Sequence, residues 1–276
     1  MTITEMKIKE YEHYLTLAER EAATVRQYIR TIRRLFVWLG DRRADKALLL
    51  EYKEHLKARC APATVNAAIA AINGFFAYFE RYELRLKFLR QQRRIFADPD
   101  RELSRSEYEG LLAAARRTDQ TRLCYIVQTI FATGIRVSEL KYITVESLER
   151  GTASIDSKGK HREVFLPDKL RKKLAKYAKK RGITSGSVFV TRTGKPVDRS
   201  NIAKGMKRLA ELAHVLKKKV FPHNLRHLFA RTYYSAYKDI ARLADILGHS
   251  SINTTRIYTM ESGAVHRRQI ERLRLV

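Results

Sequence analysis

Residues 152–167 read Thr-Ala-Ser-Ile-Asp-Ser-Lys-Gly-Lys-His-Arg-Glu-Val-Phe-Leu-Pro, and they interrupt a chain whose patterning is otherwise helical. Apolar residues alternate in both arms, Ala153 and Ile155 before the centre and Val164 and Leu166 after it, which is the period of a half-buried strand. Lys158-Gly159-Lys160 separates the arms, so the stretch predicts a β-hairpin with a cationic turn. A short apolar run, Val188-Phe189-Val190, is a candidate for one more strand, after which Asn201 to Val215 and Asp239 to Leu247 return to helical spacing. The expected fold class is mainly α, with a small antiparallel sheet confined to the C-terminal part.

Working towards the N-terminus, residues 7 to 90 carry helical spacing throughout. Ile8, Tyr11, Leu15 and Ala18 mark one helix, and Val25, Tyr28, Ile32, Leu35 and Trp38-Leu39 a second that Gly40-Asp41 ends. Ala47 to Lys57 is a third, and Pro62-Ala63-Thr64 opens a small-residue helix that continues through Phe75, Phe76 and Phe79. These four helices define a first domain over 1–92. The polar, proline-punctuated stretch 93–103 reads as a linker. A second domain over 104–276 then opens with Ser104 as N-cap and Glu107 three residues on, a capping box.

The balance of charge narrows the partners. Lys and Arg number 56 against 29 Asp and Glu, a formal net charge of +27, far beyond what solubility requires. Both parts share it, with 19 basic against 11 acidic residues before Ala97 and 37 against 18 after it. A polyanion such as nucleic acid is the simplest partner, and the segments around Val65 to Asn73 and Asn201 to Arg208 are candidates for groove entry. No apolar run approaches the roughly 18 residues of a membrane span. Met1-Thr2-Ile3-Thr4-Glu5 begins no signal sequence, and Cys60 and Cys124 are too few and too far apart for a disulfide scaffold or zinc finger. The expectation is a soluble, cytoplasmic, nucleoid-associated protein without membrane contact.

The chemistry-bearing residues lie on either side of the hairpin. His223 and Arg226 are three residues apart and share a helix face, so one phosphate can meet both. His223 and His227 also form an H-x-x-x-H spacing, but Asn224 replaces the glutamate of the zinc-protease motif, and no metal is expected. Gly134-Ile135-Arg136 sits at a junction of two helices, where a glycine permits a tight turn that aims Arg136, with Glu139 one turn on to orient the guanidinium. Lys158, or its rival Lys160, can carry an ammonium at the hairpin tip. His249 follows Leu247-Gly248, and Tyr258 is one of 14 tyrosines. Each alone also fits a bland role, as a capping histidine, a surface arginine, a charged turn or a helix-end Gly-His. Their joint order carries the argument.

That order resembles the tyrosine recombinase (phage integrase) family. The matching segments are Ala132-Thr133-Gly134-Ile135-Arg136-Val137-Ser138-Glu139-Leu140, Lys158-Gly159-Lys160, His223-Asn224-Leu225-Arg226-His227, Leu247-Gly248-His249-Ser250-Ser251 and Thr254-Thr255-Arg256-Ile257-Tyr258. The resemblance implies a two-domain simple recombinase: a SAM-like core-binding domain of four helices, then an α+β catalytic domain ending in a tail helix that packs into a neighbouring protomer. It implies that Tyr258 attacks a DNA phosphate to give a 3′-phosphotyrosyl link, and that strand exchange passes through a Holliday junction. Arg136 and Arg226 would clamp the phosphate, His223 would help with the phenol proton, Lys158 would protonate the leaving 5′ oxygen, His249 would bond a non-bridging oxygen and Glu139 would support Arg136. Storing the bond energy covalently requires no ATP, and the sequence has neither a P-loop nor an acidic cluster for two metals, so no cofactor is expected. The implied partners are a double-stranded recombination site, three further copies forming a tetramer on DNA, and accessory DNA-bending proteins. A type IB topoisomerase-like relaxing enzyme and a catalytically dead DNA-binding relative remain as alternatives.

Overall fold

A computed structural model of the chain describes residues 1–90, 98–157, 160–258 and 263–273. The chain divides into two compact units, Met1–Arg93 and Arg94–Val276, each with its own apolar core. The linker expected at 93–103 lies only partly within the described residues.

The first unit holds α1 (Glu5–Leu17), α2 (Ala22–Leu39), α3 (Lys46–Lys57) and α4 (Pro62–Tyr78). Each boundary has a local cause. The Thr4 side chain accepts the Lys7 N–H at 3.3 Å and that of Asp45 accepts the Leu48 N–H at 2.8 Å, while Pro62 presets the first turn of α4. Ile8, Ile32, Leu35, Leu49, Ile69, Ile72, Phe75 and Phe76 are fully buried. Each such side chain contributes about 1.5–3 kcal/mol on leaving water. Asn73 donates to the Leu86 carbonyl (2.9 Å) and accepts its N–H (2.7 Å), and Asn66 treats Leu89 in the same way (3.0 and 2.8 Å). The stretch Val65 to Asn73 is thereby spent on the core and on securing the chain after α4. Thr64 and Ala67 on the same helix remain exposed.

The second unit runs α5 (Arg105–Arg117), α6 (Thr121–Thr133), a 3-10 turn (Val137–Tyr142), α7 (Val145–Arg150), β1 (Thr152–Ser157), β2 (Lys160–Phe165), α8 (Asp168–Lys180), α9 (Arg199–Leu212), α10 (Pro222–Tyr237), α11 (Ile240–Leu247), α12 (Ile252–Thr255) and α13 (Gly263–Arg272). The expected capping box opens α5: the Ser104 N–H donates to Glu107 Oε2 at 2.7 Å and the Glu107 N–H to Ser104 Oγ at 3.1 Å. The hairpin pairs antiparallel from Thr152↔Phe165 to Ser157↔Lys160 and buries Ala153, Ile155, Val164 and Leu166. Val188-Phe189-Val190 does not add a strand. Val188 N–H donates to Ile143 O and Phe189 O accepts from Val197 N–H, so two different segments take up its backbone groups one at a time, leaving only the single bridges Thr144↔Ser187 and Val190↔Pro196. Val188 and Phe189 are core residues all the same.

The apolar α6 lies against α10, and α11 and the turn bearing Tyr258 pack on α10. α9 exposes Asn201, Lys204 and Arg208 on one face while burying Ile202 and Met206. On α13, Ile270 is 65% and Leu273, just beyond it, 61% exposed. Among the described residues no helix is long and apolar enough to cross a membrane.

Candidate active site

Arg226 is the centre of the arrangement. It projects from the first turns of α10, is 1% exposed and donates to Gly134 O and Leu247 O, both at 2.6 Å. These carbonyls stand at the C-terminal ends of α6 and α11, where helix carbonyls lack partners and the dipole favours a cation. A guanidinium can answer both ends at once because its nitrogens form a rigid fork. Burial, then the nearby Arg136 charge, lower its pKa to about 10, with the Tyr258 phenol partly offsetting them, so it stays charged at neutral pH. Its Nε is buried without a hydrogen-bond partner among the described residues.

Gly134 allows that approach. It has φ of +64°, a region L side chains avoid, and a Cβ there would come within 2.5 Å of the Phe229 ring. The turn it makes presents Arg136, whose side chain is 41% exposed and whose position Glu139 fixes from below. Glu139 is 2% exposed; its Oε2 accepts the Arg136 N–H at 2.8 Å and its Oε1 accepts the Arg136 guanidinium at 2.9 Å. Burial pushes the Glu139 carboxyl up, but the Arg136 N–H, Arg162 and the Arg136 guanidinium together outweigh it and hold the pKa below the ordinary range. Helix formation starts here as a 3-10 turn rather than the α-helix expected from Val137 onward.

His249 stands just past α11. Its Nε2 lies 3.0 Å from Arg226 Nη2 and its Nδ1 2.8 Å from Thr255 Oγ1. Because arginine only donates, Nε2 must accept and Nδ1 carry the proton to Thr255 in the neutral ring. Burial, then Arg226, Arg136 and Arg162, lower the His249 pKa to about 4, so the ring is neutral at pH 7. Arg136 and His249 line one cavity of about 690 Å³. Its wall also includes Ser138, Glu139, Arg162 and Ser250.

Tyr258 is 3% exposed, with its ring centroid 5.9 Å from His249 and 4.6 Å from His227. His227 sits edge-on between Tyr258 and His223, whose ring is also 4.6 Å away. Burial and then the neighbouring His223, Arg226 and His249 bring the His227 pKa to about 4. His223 is exposed at the surface, yet desolvation by the packed protein, then Arg226 and Arg136, lower its pKa too. Arg136, Glu139, His223, Arg226, His249 and Tyr258 are thus gathered in one place from four separated segments. Lys158 lies outside the described residues, and of Lys160 only the backbone at the start of β2 is described. Among the described residues no group of three or more His, Cys, Asp or Glu is placed to hold a metal ion.

The sequence reading gave no site role to three contributors: Arg162, Thr255, and His227, which it weighed only as half of a metal spacing with His223. Arg162 had a signal. It shares the parity of Val164 and Leu166 on β2 and pairs with buried Ile155, so an arginine stood at an inward position.

Two neutral histidines in a cationic pocket set an acid limit on stability. Folding holds the pKa values of His227 and His249 near 4, against about 6.5 in an unfolded chain. As pH falls from about 6.5 the unfolded chain binds protons first, so stability drops until pH passes about 4. Thermal unfolding should show Tm falling between pH 6.5 and 5, as stability drops by at most about 1.4 kcal/mol per pH unit per histidine. The double variant His227→Gln with His249→Gln should flatten that slope, and an unchanged slope would reject the assignment.

The family model described as "Phage integrase family" matches residues 101–263, and that described as "Phage integrase, N-terminal SAM-like domain" matches residues 8–83. The chain is 30% identical over 277 residues to tyrosine recombinase XerA of Thermococcus kodakarensis, covering 98% of this chain and 95% of that one. Its fold is similar to a crystal structure of XerA recombinase (TM-score 0.54, 25% identity, 99% of this chain and all of that one). It is also similar to a lambda integrase fragment solved as a dimer bound to a COC′ core site (TM-score 0.76, 16% identity, 95% of this chain and 97% of that one). The fold and the family models define a tyrosine recombinase architecture, and the chain belongs to the phage integrase family.

Proposed function

We propose that the protein is a site-specific DNA recombinase that breaks and rejoins strands through a 3′-phosphotyrosyl intermediate and a Holliday junction. The observation that supports this most strongly is the convergence of Arg136, His223, His249 and Tyr258 on the buried, charged Arg226. Phosphoryl transfer is chiefly positioning plus stabilisation of charge on the non-bridging oxygens. Arg136 and Arg226 supply that charge, with the unpaired Arg226 Nε as a donor already desolvated, and His249 adds a hydrogen bond once the phosphate displaces its contact to Arg226 and the ring takes the tautomer with the proton on Nε2, Nδ1 then accepting from the Thr255 hydroxyl. Tyr258 Oη forms a bond to phosphorus as the bond to the 5′ oxygen breaks. The phenol proton passes to His223, which desolvation and then the neighbouring Arg226 and Arg136 keep neutral and so able to accept one, and the leaving oxygen takes a proton from Lys158. Chemistry of this kind balances without ATP or a metal ion. The exposure of Asn201, Lys204 and Arg208 on α9 supports contact of that helix with a DNA backbone or groove edge.

The four-helix unit is the second DNA-contacting domain, with the domains running over 1–92 and 104–276. Assembly is a tetramer on DNA, as a lambda integrase tetramer bound to a Holliday junction is, with accessory DNA-bending proteins and a cytoplasmic, nucleoid-associated setting. A nicked suicide substrate tests the whole reading. Incubated in EDTA without nucleotide, it should trap a covalent adduct on the 3′ side of the break. Four-protomer complexes should appear with two intact sites on native gels. A protein that only shifts the DNA is a dead-site relative, and one that relaxes supercoils without exchanging strands is a topoisomerase-like enzyme.

The acid is tested by its leaving group. Lys158→Ala should slow cleavage of an ordinary strand about 10²–10⁴-fold, the usual contribution of a positioned acid. A 5′-bridging phosphorothiolate, which needs no protonation to leave, should restore the rate. Rescue of Lys160→Ala instead would move the role to that residue.

A further inference from the structure

We propose that Arg162 is a positioning residue for the phosphate site, locking the Arg136 turn to the His249 loop and leaving the charge of Arg136 free for the scissile phosphate. This inference deepens the recombinase reading above and rests on it.

The placement of Arg162 is costly and therefore informative. Its side chain is 12% exposed at an inward register of β2, opposite Ile155, and a buried guanidinium costs several kcal/mol unless its donors are answered. Two partners answer it. Nη2 donates to Glu139 Oε2 at 2.6 Å, and Nη1 donates to the carbonyl of Ile246 in the last turn of α11. The stem lies against Gly248, where φ is +64° and an added Cβ would come within 2.5 Å of Arg162 Cδ. Gly248 directly precedes His249. One side chain thereby ties the hairpin to the two turns that present Arg136 and His249.

The charge arithmetic gives the tie a second consequence. Glu139 is one buried carboxylate bonded to two guanidiniums, Arg136 on Oε1 and Arg162 on Oε2. With both present the group carries one net positive charge. Without Arg162, Arg136 and Glu139 become a neutral pair, and the attraction for a phosphate at the half-exposed Arg136 is largely cancelled. Glu139 Oε2 would keep only the Arg136 N–H, and its tie to the hairpin would be lost.

The test is a double-mutant cycle on covalent adduct formation with the full chain and the suicide substrate. Arg162→Ala should cut the cleavage rate by about ten- to a hundred-fold, the range of coupling between residues in one network, and Arg162→Lys should recover part of it. In an Arg136→Ala background, followed over hours, adding Arg162→Ala should cost several-fold less than it does alone, because only the tie to the His249 turn is then left to lose. Should Arg162→Ala fail to fold, Arg162→Met keeps the stem packed on Gly248 while removing the charge, and the same cycle applies. Additive losses in the cycle, or a wild-type rate for the single variant, overturn the positioning role while the recombinase reading stands. A wild-type protein that forms no adduct sinks that reading, and this inference with it.

Discussion

Tyr258→Phe is expected to bind its DNA site as the wild type does and to form no covalent adduct at all. The substitution removes one oxygen and leaves the ring, and the ring makes the packing: it is 3% exposed among Ala230, Leu243 and Leu247 and stands between His227 and His249. Its cost to folding is correspondingly small, within the ~0.5–1.5 kcal/mol of one net hydrogen bond. Its cost to chemistry is complete, because a phenyl ring has no nucleophile to offer and a covalent step has no substitute route. The measurement is adduct on a denaturing gel beside affinity on a native gel. Persistent adduct would place the nucleophile on another of the 14 tyrosines. The neighbouring Tyr233 and Tyr234, partly buried against the same cluster, would be the first to substitute.

How much of this was legible beforehand follows from where each signal is written. The hairpin was legible because alternation is local: Ala153, Ile155, Val164 and Leu166 all proved buried. The α5 start was legible because Ser104 and Glu107 answer one another within four residues. Val188-Phe189-Val190 misled because an apolar run specifies burial and not a partner, and its backbone groups are met by Ile143 and Val197 from different segments. In α4 the sequence shows two asparagines but not that each holds a peptide group of Leu86 or Leu89. Within the site, Glu139 was legible because it lies one turn from the Arg136 it supports, whereas partners distant in sequence were not. Thr255 matters only because His249 turns its Nδ1 towards it, and His227 only because two rings flank it. The i,i+4 spacing encodes the His223–His227 contact, but no local pattern encodes the contact of His227 with Tyr258 or of His249 with Thr255.

Arg226→Lys is the second large effect, expected to slow adduct formation about 10²–10³-fold, as loss of one preorganised donor does at other charge-stabilising sites. Charge is preserved, so an effect of that size isolates geometry. Arginine reaches Gly134 O with one terminal nitrogen and Leu247 O and His249 with the other, and keeps Nε in reserve. A lysine has one nitrogen with three donors. It can meet one helix end, and the carbonyl it abandons is buried, at a cost of ~1–3 kcal/mol. For a unit of this size that lowers Tm by several degrees, at about 2–4 °C per kcal/mol. The two losses separate by temperature: well below the lowered Tm the variant is folded, and the cleavage defect should remain. The rest of the strongly basic surface is untouched, so DNA affinity should change by less than about ten-fold and keep its steep salt dependence. Cleavage within three-fold of wild type at low temperature would mean that Arg226 serves only to join α6 and α11, and that Arg136 alone bears the phosphate.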